Sequence, residues 1–451
     1  MENSEAGLLT RGPVGRRLMG FAAPLLLGQL LQQLYNLADA WVVGNFAGND
    51  SFAAVSTSGS IIWLIVGFFN GMAIGGGVII SRYFGARDEE NTRRAIHTNF
   101  LFGLIASVLS TLVGLLLVPA LLEWMDTPES VLPYARDYFL IYFGGVSTVI
   151  MYNICMSIMR SVGDSLHPLY YLILSSLLNV GLDLLFVAGF GWDAAGAAWA
   201  TVISQGLSTL LCFLRMRKKE SGIGLRLREM RWDSDIMRQV LAQGLPTGVQ
   251  NSVISIGNIV VQANINSFGA FAMSGRGAYS RIEGFVFLPV TCMSMALPTF
   301  ISQNLGAGEY RRAKQGAAFG ILSGMGMAEL IGLLVWLCGE WLLRFFVDED
   351  AAIAFGMTDI RVIALFYFLL AFSHCAAGVL RGCGMSVIPM VTMLAFWCGL
   401  RILYVTLALE AAPFYSTICW AYPITWSCST VVFLWVLLRS DWTHHFQRTG
   451  A

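Results

Sequence analysis

The sequence predicts an all-α polytopic membrane protein, with twelve transmembrane helices arranged as two six-helix lobes related by a parallel pseudo-two-fold repeat. Composition, the length of the apolar runs and an internal repeat carry that expectation. Of the 451 residues, 56% are hydrophobic and 12% charged, whereas an ordinary soluble domain carries about a quarter charged residues. A soluble fold of this size could not solvate such a surface. The apolar runs fall at 17–46, 52–82, 96–122, 133–159, 167–190, 194–216, 238–268, 273–303, 316–346, 354–381, 386–409 and 414–438. Most reach the ~20 residues that a helix needs to cross ~30 Å of hydrocarbon. A transmembrane barrel would alternate over segments of about ten residues, and "LFGLIASVLSTLVGLLLVPALL" does not alternate.

The formal net charge is zero, so no overall field draws the chain to nucleic acid or to an acidic partner. The placement of charge is informative instead. With the N-terminus in the cytoplasm, Arg16, Arg17, Arg82, Arg160, Arg381 and Arg439, with the cluster from Arg215 to Arg238, fall on one side. Asp50, Glu123, Asp126, Glu129, Asp193, Asp348, Glu349, Asp350 and Glu410 fall on the other. This asymmetry sets both termini in the cytoplasm. The first residues hold acids and arginines but no short apolar core with a small-residue cleavage site, so no signal peptide is expected. The nine cysteines lie mostly in apolar helices without a CxxC pair and are expected to be reduced core residues.

Self-similarity organises the chain. A shift of 221 takes Gly48 to Gly269, Ser81 to Ser302, Gly85 and Ala86 to Gly306 and Ala307, Arg160 to Arg381, Gly163 to Gly384, Ser165 to Ser386 and Pro168 to Pro389. Pro24 reaches Pro246 with a one-residue gap. The expected domains are a lobe over 1–220, a cytoplasmic linker over 221–237 and a lobe over 238–451. An even number of helices in each half makes the repeat parallel, and lobes of this symmetry commonly enclose a central cavity.

Ionisable groups within a membrane are costly, so each is a functional candidate. In the first helix Gln32, Tyr35, Asn36 and Asp39 lie three, four and seven residues apart and share a face. In the fifth, Asn179 and Asp183 are an i, i+4 pair. Counted from the inner surface at 1.5 Å per residue, Asp39 lies about 33 Å along its helix and Asp183 about 25 Å along its own. Thr201, entering from outside on the sixth helix, has a similar depth. One cluster of Asp39, Asp183, Asn179, Tyr35 and Thr201 is therefore geometrically feasible. Two carboxylates in one desolvated site favour a proton or a metal cation between them, as an ion-coupling site requires; the alternative is a pair of solvated outer-surface residues. No metal beyond a sodium ion at Asp39 and Asp183 is indicated.

The second half keeps a polar stripe without acids on its first helix: Asn251, Ser255, Asn258, Gln262 and Asn266. Such a stripe lines an aqueous cavity or joins helices. On the next helix Arg276 and Glu283 share a face, as an ion pair or as a substrate contact. Arg401 occupies the region matching Asn179 to Asp183, as an anchor or a cavity charge. Arg160 and Arg381 sit at cytoplasmic helix ends beside glycines. There is no GxxxxGK[ST], HExxH or nucleophile motif, so neither an ATP-driven pump nor an enzyme is expected, and no cofactor is implied.

"PLLLGQ" opening the first helix, "LADAWVVG" around Asp39, "LNVGLDLLF" around Asp183, "GAAWAT" at 196–201 and "QNLGAG" at 303–308 resemble, in order and spacing, the multidrug and toxic compound extrusion (MATE) family over nearly the full length. The resemblance is strongest to its DNA-damage-inducible bacterial branch. It implies two lobes around a V-shaped cavity in a bacterial cytoplasmic membrane, a monomer, and antiport of cationic or amphipathic compounds against protons or sodium ions. It also implies that Asp39 is the coupling carboxylate and that Tyr35, Asn179, Asp183 and Thr201 belong to its network. Gln32, Asn36, Asn251, Ser255, Asn258, Gln262 and Glu283 are the expected cavity residues. Relatives with an acid on the seventh helix differ from this chain, which offers only Asn and Gln there. A lipid-linked sugar flippase is the first rival, but its cavity should cluster Arg and Lys, where only Arg276, Arg281 and Arg401 qualify. A non-transporting receptor or scaffold would leave the repeat and the buried acids without a purpose.

Overall fold

The computed structural model describes residues 9–125, 127–218 and 223–448, and among these there is no strand. Asp126, part of the linker and the extreme ends of the predicted lobes lie outside the described residues. Twelve long helical segments follow one another: α1 (Val14–Phe46), α2 (Gly48–Gly85), α3 (Glu89–Trp124), α4 (Leu132–Ser161), α5 (Leu166–Gly189), α6 (Asp193–Arg217), α7 (Ser234–Asn266), α8 (Ala270–Gly306), α9 (Tyr310–Arg344), α10 (Asp350–Gly382), α11 (Val387–Ala411) and α12 (Tyr415–Arg439). Ten of them, all but α1 and α7, are both long and apolar enough to cross a membrane. α1 and α7 have 33 residues each, about 50 Å of helix, so length is not what they lack. They are the two helices that carry the polar stripes, and the stripes dilute their hydrophobicity.

The chain forms two compact units, one of Leu27–Gly244 and one of Leu9–Leu26 with Leu245–Ala451. Both boundaries fall inside helices, α1 and α7, within three residues of Pro24 and Pro246. Proline removes one intrahelical hydrogen bond and bends a helix, so each of these helices changes unit where its backbone is weakest.

The repeat shows in the backbone itself. Left-handed residues recur at the shift of 221: Gly48 (φ 79°) with Gly269 (93°), Gly163 (85°) with Gly384 (84°), and Arg87 (58°) with Gly308 (74°). Each marks a tight turn after a long helix, where glycine is the residue of lowest cost. Only Arg87 departs from glycine.

Two helix starts on the basic side, those of α7 and α3, are capped by acids. The carboxyl of Asp233 accepts the N–H of Ile236 at 3.0 Å and of Asp235 at 3.1 Å and pairs with Arg94. The Ile236 amide foremost, with Arg94 adding to it, holds this carboxyl below the usual range. Asp88 does the same for α3, accepting the Asn91 N–H at 3.0 Å. All nine cysteines are free thiols, and all but Cys338 and Cys428 are buried.

Candidate functional site

In the first unit α1 brings Gln32, Tyr35, Asn36 and Asp39 along one face, and α5 brings Asn179 and Asp183. Asn179 is 2% exposed and Asp183 fully buried, while Asp39 is half-buried and Asn36 exposed. The two carboxyl groups lie within hydrogen-bonding reach of each other. Tyr35 lies within the field of both and within reach of Gln32. Directly after Asp183, α5 widens into a π-type turn over Leu184–Gly189, a feature common at functional sites.

Ionised carboxylates are acceptors only, and two that face each other have no donor to share. Oδ1 of Asp39, both oxygens of Asp183 and both amide atoms of Asn179 are buried without a hydrogen-bond partner among the described residues. Each such atom costs about 1–3 kcal/mol. One proton, or one small cation, placed between the carboxyls supplies what the chain withholds. No larger metal-binding cluster exists among the described residues. Tyr138 of α4, which the sequence reading overlooked, is buried within the field of both acids and stacks on Tyr142 with ring centroids 6.1 Å apart. Thr201 is half-buried on α6, where its carbonyl accepts the Ser204 hydroxyl at 3.0 Å; among the described residues no hydrogen bond joins its side chain to the acids.

The second unit has its own charged cluster, and its centre was not foreseen. Arg276 of α8 meets Asp359 of α10 at 3.1 Å, and Glu283 only at 3.8 Å. It also donates to the Tyr422 hydroxyl at 2.8 Å. Asp359 accepts from Tyr415 at 2.7 Å and from the Cys419 thiol at 3.3 Å. Glu283 accepts from Tyr279, whose hydroxyl lies 2.7 Å from that of Tyr367. The approach of α8 to α10 depends on small residues. A Cβ on Gly275 would lie 2.2 Å from the Ala352 carbonyl, and Gly356 faces the Gly275 carbonyl in turn. This backbone contact, one residue before Arg276, carries its side chain to Asp359.

Arg401 follows a second π-type turn, Leu394–Leu400 in α11, as Asp183 precedes the first. It is 2% exposed and has neutral partners: Asn258 at 3.4 Å, Thr425 at 3.3 Å and the face of Tyr422 at 4.5 Å. On the α7 stripe Asn258, Gln262 and Asn266 are exposed and Asn251 and Ser255 half-buried. Gln262 bonds Asn266 at 2.9 Å along its own helix, so there the stripe offers polar groups outward rather than tying helices together. Arg381 is buried and donates to Gln250 at 3.3 Å.

The sequence profile of the MatE family matches this chain twice, over residues 24–185 and 246–407. The chain belongs to the MatE family. Each match covers one copy of the repeat. Among its curated relatives is the probable multidrug resistance protein YpnP of Bacillus subtilis, 29% identical over 389 residues, 86% of this chain and 87% of that protein. The multidrug export protein MepA of Staphylococcus saprophyticus is 22% identical and covers 98% of this chain and 97% of its own length. A solved structure described as the outward-facing conformation of a multidrug resistance MATE family transporter of the MOP superfamily superposes with a TM-score of 0.89. It is 22% identical and covers 96% of this chain and 97% of that one. The fold is therefore that of MATE proteins, with two helical lobes, and MATE proteins are multi-pass membrane transporters rather than enzymes.

Proposed function

We propose that this MATE protein is a secondary active transporter of the bacterial cytoplasmic membrane, with both termini inside. It exports small, often cationic or amphipathic compounds by antiport with protons or sodium ions. The observation that carries the reading is the meeting of Asp39 and Asp183, from different helices, with no cationic side chain among the described residues paired to them. A proton or sodium ion entering from outside binds there, with Asn179 and Tyr35 completing the polar shell. Because α1 runs from one unit into the other at Pro24, a change in the shape of α1 on ion binding acts on both. Return of the emptied site then resets the cycle. In the first unit Gln32 and Asn36 of α1, and in the second the exposed amides of α7 with the partly exposed edge of Glu283, are the polar groups each offers to the compound. The membrane potential contributes about 2.3 kcal/mol per charge per 100 mV, about a fifty-fold concentration ratio.

The purified protein in proteoliposomes tests this. Efflux of a small panel of cationic dyes is measured under a proton gradient alone and a sodium gradient alone. One of the two drives uphill export, and dissipating that gradient stops it. Equal dye movement with and without both gradients would refute antiport.

A further inference from the structure

The two units distribute charge in complementary ways. Under the shift of 221, Arg276, Glu283 and Asp359 correspond to Val55, Ile62 and Tyr138, which pack in one apolar cluster of the first unit. The second unit therefore holds a cation together with two acids where the first unit is apolar. Conversely, Asp39 and Asp183 correspond to Val260 and Tyr404, so the second unit has no counterpart of that pair.

We infer that Arg276 is a tethered counter-ion. Its guanidinium takes the place between Asp359 and Glu283 that a mobile cation would otherwise fill, and it confines ion exchange to the Asp39 and Asp183 site. The geometry bears on this directly. The guanidinium reaches both acids, at 3.1 and 3.8 Å, and lies over the rings of Tyr279 and Tyr422 at 4.9 and 5.0 Å. It is 8% exposed, and Asp359 is 1% exposed. Charge balance agrees: Arg276 and Arg401 offset Asp359 and Glu283. Neutralising Arg276 leaves a net charge of minus one among groups that ordinarily bind a monovalent cation: two carboxylates and the hydroxyls of Tyr415 and Tyr422. Glu283, 14% exposed, is the edge by which such an ion enters. Arg276 thus determines how many ions the protein binds, and only the assignment of the remaining ion to Asp39 rests on the function proposed above.

The test counts bound monovalent cations on the purified full-length protein, by radioactive sodium and, in parallel, by proton uptake. Arg276→Gln is expected to bind one cation per chain more than the parent, while Arg276→Lys, which keeps the tether's charge, binds no more. Adding Asp359→Asn to Arg276→Gln abolishes the extra ion; adding Asp39→Asn with Asp183→Asn does not. An Arg276→Gln protein that is folded and monodisperse with the parental count overturns the proposal. Should that variant not fold, the count on the Asp39→Asn, Asp183→Asn protein decides: no bound cation supports the tether, and one bound cation that Asp359→Asn removes overturns it. Failure of the coupling role itself reads differently, as gradient-driven export that survives loss of both first-unit acids.

Discussion

In the first unit Asp39 and Asp183 face each other with no cationic side chain among the described residues beside them, whereas in the second Asp359 and Glu283 share the guanidinium of Arg276. The scaffold that holds the two sets is the same, down to left-handed turns spaced 221 residues apart. A buried acid must obtain a counter-charge, and the two units obtain it differently. One has it built into a neighbouring helix and is electrostatically complete. The other must take it from solution, and a site that needs a mobile ion in order to be stable is a site that can couple.

This contrast predicts stabilities of opposite sign. Asp359→Asn strands Arg276 beside Glu283 alone and should destabilise the protein by about 3–5 kcal/mol, the usual cost of breaking a buried pair, read as a lowered thermal unfolding temperature in detergent. If that variant melts like the parent, the second cluster is not the closed network described. Gly275→Val would force α8 away from the Ala352 carbonyl and separate the Arg276–Asp359 pair; about 1–3 kcal/mol of destabilisation is expected from overpacking alone, and unchanged melting would show that the helix approach is not required. Asp183→Asn should act the other way, raising stability by about 1 kcal/mol through removal of a buried unpaired charge. A fall in melting temperature would mean that Asp183 already has a partner.

The smallest effect concerns the repeat. Arg87 is the left-handed residue whose counterpart, Gly308, is glycine. Left-handed backbone costs a non-glycine residue about 1–2 kcal/mol, and glycine gives back about half of that in chain entropy. Arg87→Gly should therefore raise stability by about 0.5 kcal/mol, and a clear loss would show that the Arg87 side chain outweighs its backbone strain.

Much of this was legible in the sequence because membrane chemistry is restrictive. Twelve runs of adequate length, the shift of 221, and acids standing in apolar helices on one face with amides three, four or seven residues away were all visible without coordinates. Composition alone would have undercounted the spans, since the polar faces of α1 and α7 make those helices look less apolar than their neighbours. Asp359 was missed because "GMTDIRVI" reads as the charged end of a helix and its partner, Arg276, lies 83 residues earlier. Spacing placed Glu283 on the face of Arg276, but spacing reports only neighbours on one helix, and the closer acid arrives on another. Tyr138 was missed for the same reason: a tyrosine within an apolar run signals nothing until a second helix places carboxylates beside it.

The central claim is that the open pair in the first unit carries the coupling ion. Dye export by the Asp39→Asn protein in proteoliposomes, under the gradient that drives the parent and with dye binding measured alongside, tests it most directly. The account predicts that binding persists while accumulation against a gradient falls to simple equilibration. Uphill export at the parental level would contradict it.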